Sequence, residues 1–174
     1  MPTSFQAPKR KSADDKRTVS QSIESNTSKD TTTVATLLKA KEARTIYHVT
    51  PENTISDAVA ILSEHKIGAL PVVAGDGSLA GILSERDIVR KLAQTPGQTL
   101  PQSVEENMTR HVETCTADDQ LVSVLRRMTD GKFRHMPVVS DGKVTGMVTI
   151  GDVVQFRLRE LEHEALQLKQ MIVG

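Results

Sequence analysis

From Val34 onward the apolar positions follow two rhythms, and the switches between them mark out the elements. Apolar runs of strand length stand at Ala69 to Val73 and Leu79 to Leu83, and again at Met136 to Val139 and Val144 to Ile150. Turn residues part each pair, Gly75-Asp76-Gly77 in the first and Asp141-Gly142 in the second, so each pair predicts a hairpin. Helical spacing surrounds the hairpins. Ile55, Ala58, Val59 and Leu62 share one face behind a Thr54 cap with Asp57 three residues on, and Gly68 ends that helix. Ile88, Val89 and Leu92 mark a second helix, and Leu121, Val124, Leu125 and Met128 a third.

Comparing the chain with itself shows that this order occurs twice. Val34 to Leu38 aligns with Val104 to Met108, Ile46 to Thr50 with Val112 to Thr116, and Leu70-Pro71-Val72-Val73 with Met136-Pro137-Val138-Val139. Pro71 and Pro137 are 66 positions apart but Gly81 and Gly146 only 65, so the second hairpin is one residue shorter. Such a change belongs at a turn. The reading is an α/β (α+β) fold of two β-α-β-β-α units: repeat one at 34–95, a linker at 96–103 with Pro96, Gly97 and Pro101, and repeat two at 104–157. A unit of about 60 residues buries little surface alone, so the two should pack on each other.

The duplicated stretch with chemical content is Gly81-Ile82-Leu83-Ser84-Glu85-Arg86-Asp87, matched by Gly146-Met147-Val148-Thr149-Ile150-Gly151-Asp152. In each, a strand hands over to a helix at a hydroxyl three residues ahead of a carboxylate. Ser84 and Thr149 are therefore N-cap candidates, with Asp87 and Asp152 closing a capping box. The same geometry suits a ligand. A helix start offers bare amides and partial positive charge to a phosphate, and a carboxylate one turn in accepts from two sugar hydroxyls.

Formal charge is zero, 22 basic against 22 acidic residues, so no global field draws nucleic acid or an anionic membrane. Tyr47, Phe5, Phe133 and Phe156 are all the aromatic residues, too few for base stacking, and no apolar run spans a bilayer. Cys115 is the only cysteine, which excludes an internal disulfide and fits a reducing, cytoplasmic setting. Residues 1–33 are rich in Ser, Thr, Lys and Asp and predict a disordered tail. Its basic, hydroxyl-rich composition also admits an organellar transit peptide, against which Asp14, Asp15, Glu24 and Asp30 count. The five histidines lack metal spacing, and no nucleophile–base arrangement is visible, so no metal and no catalytic residue is assigned and the chain reads as a non-enzyme. From Val153 the segment through 158–174 predicts an amphipathic helical extension, with Val154, Leu158, Leu161, Ala165, Leu168 and Ile172 spaced alternately by four and three. That stripe either covers the chain's own core or meets a second subunit.

On the phrases Gly68-Ala-Leu-Pro-Val-Val and Arg134-His-Met-Pro-Val-Val, with the two Gly-to-Asp stretches, the chain resembles the tandem cystathionine-β-synthase (CBS) domain pair, or Bateman module. Stand-alone bacterial pairs and plant organellar relatives are the most similar, including the phrases SERD and TIGDVV. The resemblance implies two repeats packed with pseudo-twofold symmetry around two clefts for adenosyl ligands such as AMP, ADP, ATP, NAD or S-adenosylmethionine, with no further cofactor. It places the ribose on Asp87 and Asp152. Phosphate goes to Ser84 and Thr149, with Arg134 and His135 in the second repeat. The first repeat carries Gly68 and Ala69 at those last positions, which leaves Arg86 as its nearby cation. The adenine pocket falls on Val49, Thr50, Gly68, Ala69, Leu70, Cys115, Thr116 and Met136. A homodimer and an unidentified protein partner are implied as well.

Each assignment has a plainer reading beside it. Asp87 and Asp152 can serve as helix caps, Arg134 and His135 as exposed strand-edge residues, Arg86, Arg90 and Lys91 as a solvated helix face, and Cys115 as a small buried hydrophobe. The functional expectation is a regulatory module that senses an adenine nucleotide. Its rivals are a ligand-free scaffold and, through Cys115, a regulator of thioredoxin-like redox partners.

Overall fold

A computed structural model of the protein describes residues 32–41 and 45–173. Of the expected disordered tail, all but Thr32 and Thr33 lies outside the described residues. Those two are tied down: the Leu121 N–H donates to Thr32 O at 3.0 Å, and Thr33 forms a bridge with Gln120.

The chain runs through helix α1 (Val34–Ala40), helix α2 (Ile55–His65), strands β1 (Ala69–Val73) and β2 (Leu79–Ser84), helix α3 (Glu85–Gln94), a short α4 (Val104–Asn107), helix α5 (Leu121–Asp130), strands β3 (His135–Ser140) and β4 (Lys143–Thr149), and a long α6 (Ile150–Val173). It is a mixed helix and strand fold with two antiparallel hairpin sheets, β1 with β2 and β3 with β4. Both hairpins slip register at the same place, between Val72 and Val73 and between Val138 and Val139. Asp141 and Gly142 turn the second hairpin at φ 50° and 78°, the paired positive values that match the twist of the flanking strands.

Three expectations shift by small amounts. The leading strand of each repeat shrinks to one residue: Val49 bridges Val72, and Cys115 bridges Val138, both in parallel. Helix α2 has the predicted Thr54–Asp57 capping box but stops at Lys66, whose φ of 52° turns the chain before Gly68 is reached. Lys132 does the same after α5, at φ 57°. Ile150 opens α6 instead of ending β4, because Thr149 caps the helix there.

Two cores form, and the short helices exchange between them. One core gathers Cys115, Leu121, Val124, Met128, Met136, Val138, Val148 and Val153 around Val34 and Leu37 of α1. The other gathers Val49, Ile55, Ala58, Leu62, Leu70, Val72, Leu83 and Ile88 around Val104 of α4. Backbone bonds fix both exchanges: the Val34 N–H donates to Asp119 O at 2.9 Å, and the Val104 N–H to Asn53 O at 2.8 Å. Each repeat is thereby completed by the segment that precedes the other. The linker is held in turn by Thr99, fully buried, whose hydroxyl donates to Thr95 O at 2.9 Å. Among the described residues no helix is long and apolar enough to cross a membrane.

Candidate functional site

Both duplicated hydroxyl–carboxylate pairs sit where a strand ends against a helix start. At α3 the Asp87 N–H donates to Ser84 Oγ at 3.3 Å, while Asp87 Oδ2 accepts from Ser84 N at 3.3 Å and Ser84 Oγ at 2.5 Å. At α6 the Asp152 N–H donates to Thr149 Oγ1 at 3.1 Å and Asp152 Oδ2 accepts from Thr149 N at 3.0 Å. Both are capping boxes, so the plainer reading is realised. It does not use up the carboxylates. Among the described residues every hydrogen bond to these two groups falls on Oδ2 and none on Oδ1.

Each helix mouth opens into a cleft whose far wall belongs to the other repeat. The first cleft, about 450 Å³, sets Ser84, Arg86, Asp87 and Arg90 opposite Lys132, Phe133 and Arg134, with His111 to Glu113 along its floor. The second, about 1270 Å³, sets Thr149 and Asp152 opposite Thr45 to Tyr47 and His65 to Ala69, with Lys39 and Lys41 at the end of α1. His135 borders both. Its ring lies so close to Gly68 that a Cβ there would stand 3.2 Å from Cε1, so the bare glycine makes room for the imidazole between the clefts.

This crossing reassigns the expected partners. Arg134 lines the cleft of Asp87, not that of Asp152, together with Arg86, Arg90 and Lys132 and the acids Glu85 and Glu113, while the cleft of Asp152 holds Lys39, Lys41 and Lys66. Arg90 is exposed, as a solvated helix face requires, and also borders this cleft. Of the adenine residues expected, Gly68 and Ala69 line clefts. Val49, Leu70, Cys115 and Met136 instead fill the two cores with their side chains, because inward-facing positions at a strand start are the ones the core needs. Thr50 and Thr116 are turned to local bonds with Asn53 and Asp119. The apolar surfaces that do face the clefts include Ile82, Val112 and Phe133 in the first and Leu38, Ile46, Tyr47, Ile67 and Met147 in the second. Tyr47 is further fixed by stacking on His65, ring centres 3.6 Å apart and 14° from parallel.

Lys41, Lys66 and Lys132 were not among the residues the sequence pointed to. Lys66 and Lys132 stand 66 positions apart, so the internal comparison contained them. Lys41 gives no such signal. Its ammonium lies 2.5 Å from Asp152 Oδ2. Burial by itself would raise the Asp152 carboxyl, but bonds from Lys41 and Thr149 hold it below the ordinary carboxylate value. Burial pushes the His135 imidazole below its ordinary value, against the pull of Asp152 and Glu85. Cys115 is 2 % exposed and its thiol is pushed up to about 11, by burial first and then by the Asp119 carboxylate. Among the described residues no group of three or more His, Cys, Asp or Glu could hold a metal ion.

Comparison with known proteins places this geometry. The mitochondrial CBS domain-containing protein CBSX3 of Arabidopsis thaliana is 33% identical over 152 residues, covering 83% of this chain and 74% of that protein. The crystal structure of the CBS-domain containing protein ATU1752 from Agrobacterium tumefaciens superposes with a TM-score of 0.69 at 40% identity, covering 72% of this chain and 99% of the other. The CBS domain pair of MJ0100, solved in complex with 5'-methylthioadenosine and S-adenosyl-L-methionine, gives 0.62 at 30% identity, covering 74% and 98%. CBSX2 in complex with AMP gives 0.58 at 30%, covering 66% and 88%. The CBS domain pattern itself matches twice, over residues 42–94 and 103–159, and with both repeats accounted for the chain belongs to the CBS-domain family.

Proposed function

We propose that the protein is a regulatory module, not an enzyme, that senses adenine nucleotides (AMP, ADP, ATP or NAD) in its two clefts and passes their occupancy to a partner protein or to its own assembly. The observation that carries this reading is the crossed construction of the clefts: each pairs a capped carboxylate from one repeat with the strand start of the other. A ligand held there touches both halves and favours one relative orientation of them, and only such a difference in affinity can carry a signal.

In this reading the ribose hydroxyls donate to Oδ1 of Asp87 or Asp152, and the phosphate meets Ser84 or Thr149 and the adjoining helix amides. The base lies against Val112 and Phe133, or against Ile46, Tyr47 and Ile67. Cations line both clefts and suit a ligand's phosphate, with Arg134 able to offer a two-pronged guanidinium in the first and Lys39, Lys41 and Lys66 standing in the second. Relatives solved with AMP, and with methylthioadenosine and S-adenosylmethionine, support the ligand class.

The test is a thermal-shift titration with AMP, ATP, NAD and S-adenosylmethionine, followed by calorimetry on Asp87→Ala and Asp152→Ala. Binding to the native state alone raises the midpoint with ligand concentration. Losing a charge-assisted bond costs about 1.5–3 kcal/mol, roughly tenfold to a hundredfold in affinity. No shift with any ligand favours the scaffold reading, and full affinity in both variants removes the proposed ribose contacts.

A further inference from the structure

Helix α6 outruns the body it starts from. Val153 is buried and Phe156, Arg157 and Glu160 are half-buried, but every residue from Leu161 to Ile172 is exposed. The exposed face is apolar in a regular way: Val154 (43 %), Leu158 (55 %), Leu161 (55 %), Leu168 (61 %) and Ile172 (84 %), with Ala165 completing the alternation of four and three. A helix of about a dozen residues that packs on nothing is marginal in water. This one is also continuous with the capped turn that holds Asp152, so its partner should be sought outside the described chain.

We propose that α6 pairs with α6 of a second copy of this chain as a parallel, in-register coiled coil from Val154 to Ile172. Leu158, Ala165 and Ile172 then take the a positions, and Val154, Leu161 and Leu168 the d positions. The flanking charges select the arrangement. A parallel pair brings each g residue beside the e residue of the next heptad across the seam. Glu164 meets Lys169 there, and one heptad earlier Arg157, which also holds Glu160 at 2.9 Å within its own helix, meets Glu162. Opposite charges thus face each other in both heptads. An antiparallel pair that covers the same six positions sets Glu162 against Glu162 and Glu164 against Glu164. The pairing does not depend on ligand binding.

The experiment uses the full chain. Light scattering behind size exclusion should give a dimer mass, and the doubly substituted Leu161→Glu, Leu168→Glu chain should give a monomer that still unfolds cooperatively, since neither side chain belongs to the two cores. Ile172→Cys should form a covalent dimer under mild oxidation, the native Cys115 being buried; a parallel register brings the two new thiols together and an antiparallel one separates them. Glu164→Lys should shift mass toward monomer at equal loading, and adding Lys169→Glu should restore the dimer. A monomeric native chain, a dimer that survives the double glutamate substitution, or an Ile172→Cys chain that does not cross-link overturns the proposal.

Discussion

The ammonium of Lys41 sits 2.5 Å from Oδ2 of Asp152, 111 residues away in sequence, on the same oxygen that accepts the Thr149 N–H at 3.0 Å. Asp87, the counterpart of Asp152, has no such lysine; among the described residues its Oδ2 is held by Ser84 alone. The two carboxylates therefore differ in what a ribose must compete with. Lys41 also caps the end of α1, which packs into the core of the second repeat, so a ligand that draws Lys41 away from Asp152 pulls on that helix.

Lys41→Met should accordingly separate binding from stability. Without the ammonium, Asp152 is freer to accept sugar hydroxyls, and affinity in the second cleft should rise up to roughly tenfold. That change is read by calorimetry on an Asp87→Ala background, where only this cleft reports. A charged hydrogen bond is worth about 1.5–3 kcal/mol, but both groups are partly solvated, and about 1 kcal/mol is the fairer figure. The midpoint should fall by about 2–4 °C at pH 7. The Asp152 carboxyl is lowered in the native protein, so this stabilisation is present above the ordinary carboxylate value of 3.8 and is lost as pH falls through the native one. Unchanged affinity in the variant would mean that Lys41 does not compete with the ligand.

How far the sequence can be read follows from how local each feature is. The hairpins and the Thr54, Ser84 and Thr149 capping boxes depend on residues three or four apart, and they fold as read. The leading strands at Val49 and Cys115 are legible as apolar positions, but the parallel partners they bridge, Val72 and Val138, lie more than 20 residues on, beyond any local pattern. The cleft walls escaped for the same reason. Asp87 and Arg134 share a cleft only after the repeats pack, whereas the repeat pattern pairs Arg134 with Asp152 of its own half. The exchange of α1 and α4 is a third instance: the sequence aligns Val34 with Val104, but nothing local shows that each completes the opposite core.

His135 gives the free protein an acid-side weakness. Burial lowers its pKa below 6.5, with Arg134 and Lys41 acting in the same direction and Asp152 and Glu85 opposing. Between the native value and 6.5 the unfolded chain binds more protons than the folded one, so stability falls as pH drops through that window. His135→Asn should flatten the fall in midpoint between pH 7 and 5. A phosphate beside the ring restores the charged form, so nucleotide binding near pH 6 should take up as much as about one proton. Calorimetry in buffers of different ionisation enthalpy measures that uptake, which should vanish in the variant; identical uptake in both would place the proton elsewhere.

Gly81 and Gly146 occupy equivalent positions but tolerate a side chain unequally. A Cβ on Gly81 would lie 2.7 Å from Met108 Sδ and 2.8 Å from the Thr109 carbonyl, whose residue is paired by backbone to Ile82. Met108 can move, but the carbonyl cannot move without opening that pair. On Gly146 the neighbours are the Leu38 methyls at 3.3 Å, which can rotate aside. Gly81→Ala should therefore cost about 1–3 kcal/mol and Gly146→Ala clearly less, as judged by urea unfolding of each. Equal costs would show that the Ile82–Thr109 pairing does not constrain this strand.

Cys115 offers the last test, since it separates the nucleotide reading from a redox one. Its thiol is buried in the second core beside β3, donates toward Pro137 O at 3.8 Å and has its pKa pushed up to about 11. At pH 8 roughly one thiol in a thousand is thiolate, and reagent cannot reach even that fraction without local opening. Native protein should therefore stay unlabelled by a thiol-reactive dye on a timescale that suffices for complete labelling in urea. Nucleotide that stabilises the fold should slow the residual reaction further, because the same opening exposes the thiol. Fast labelling of the native chain, indifferent to nucleotide, would instead mark Cys115 as accessible and return exchange with a thioredoxin-like partner to consideration.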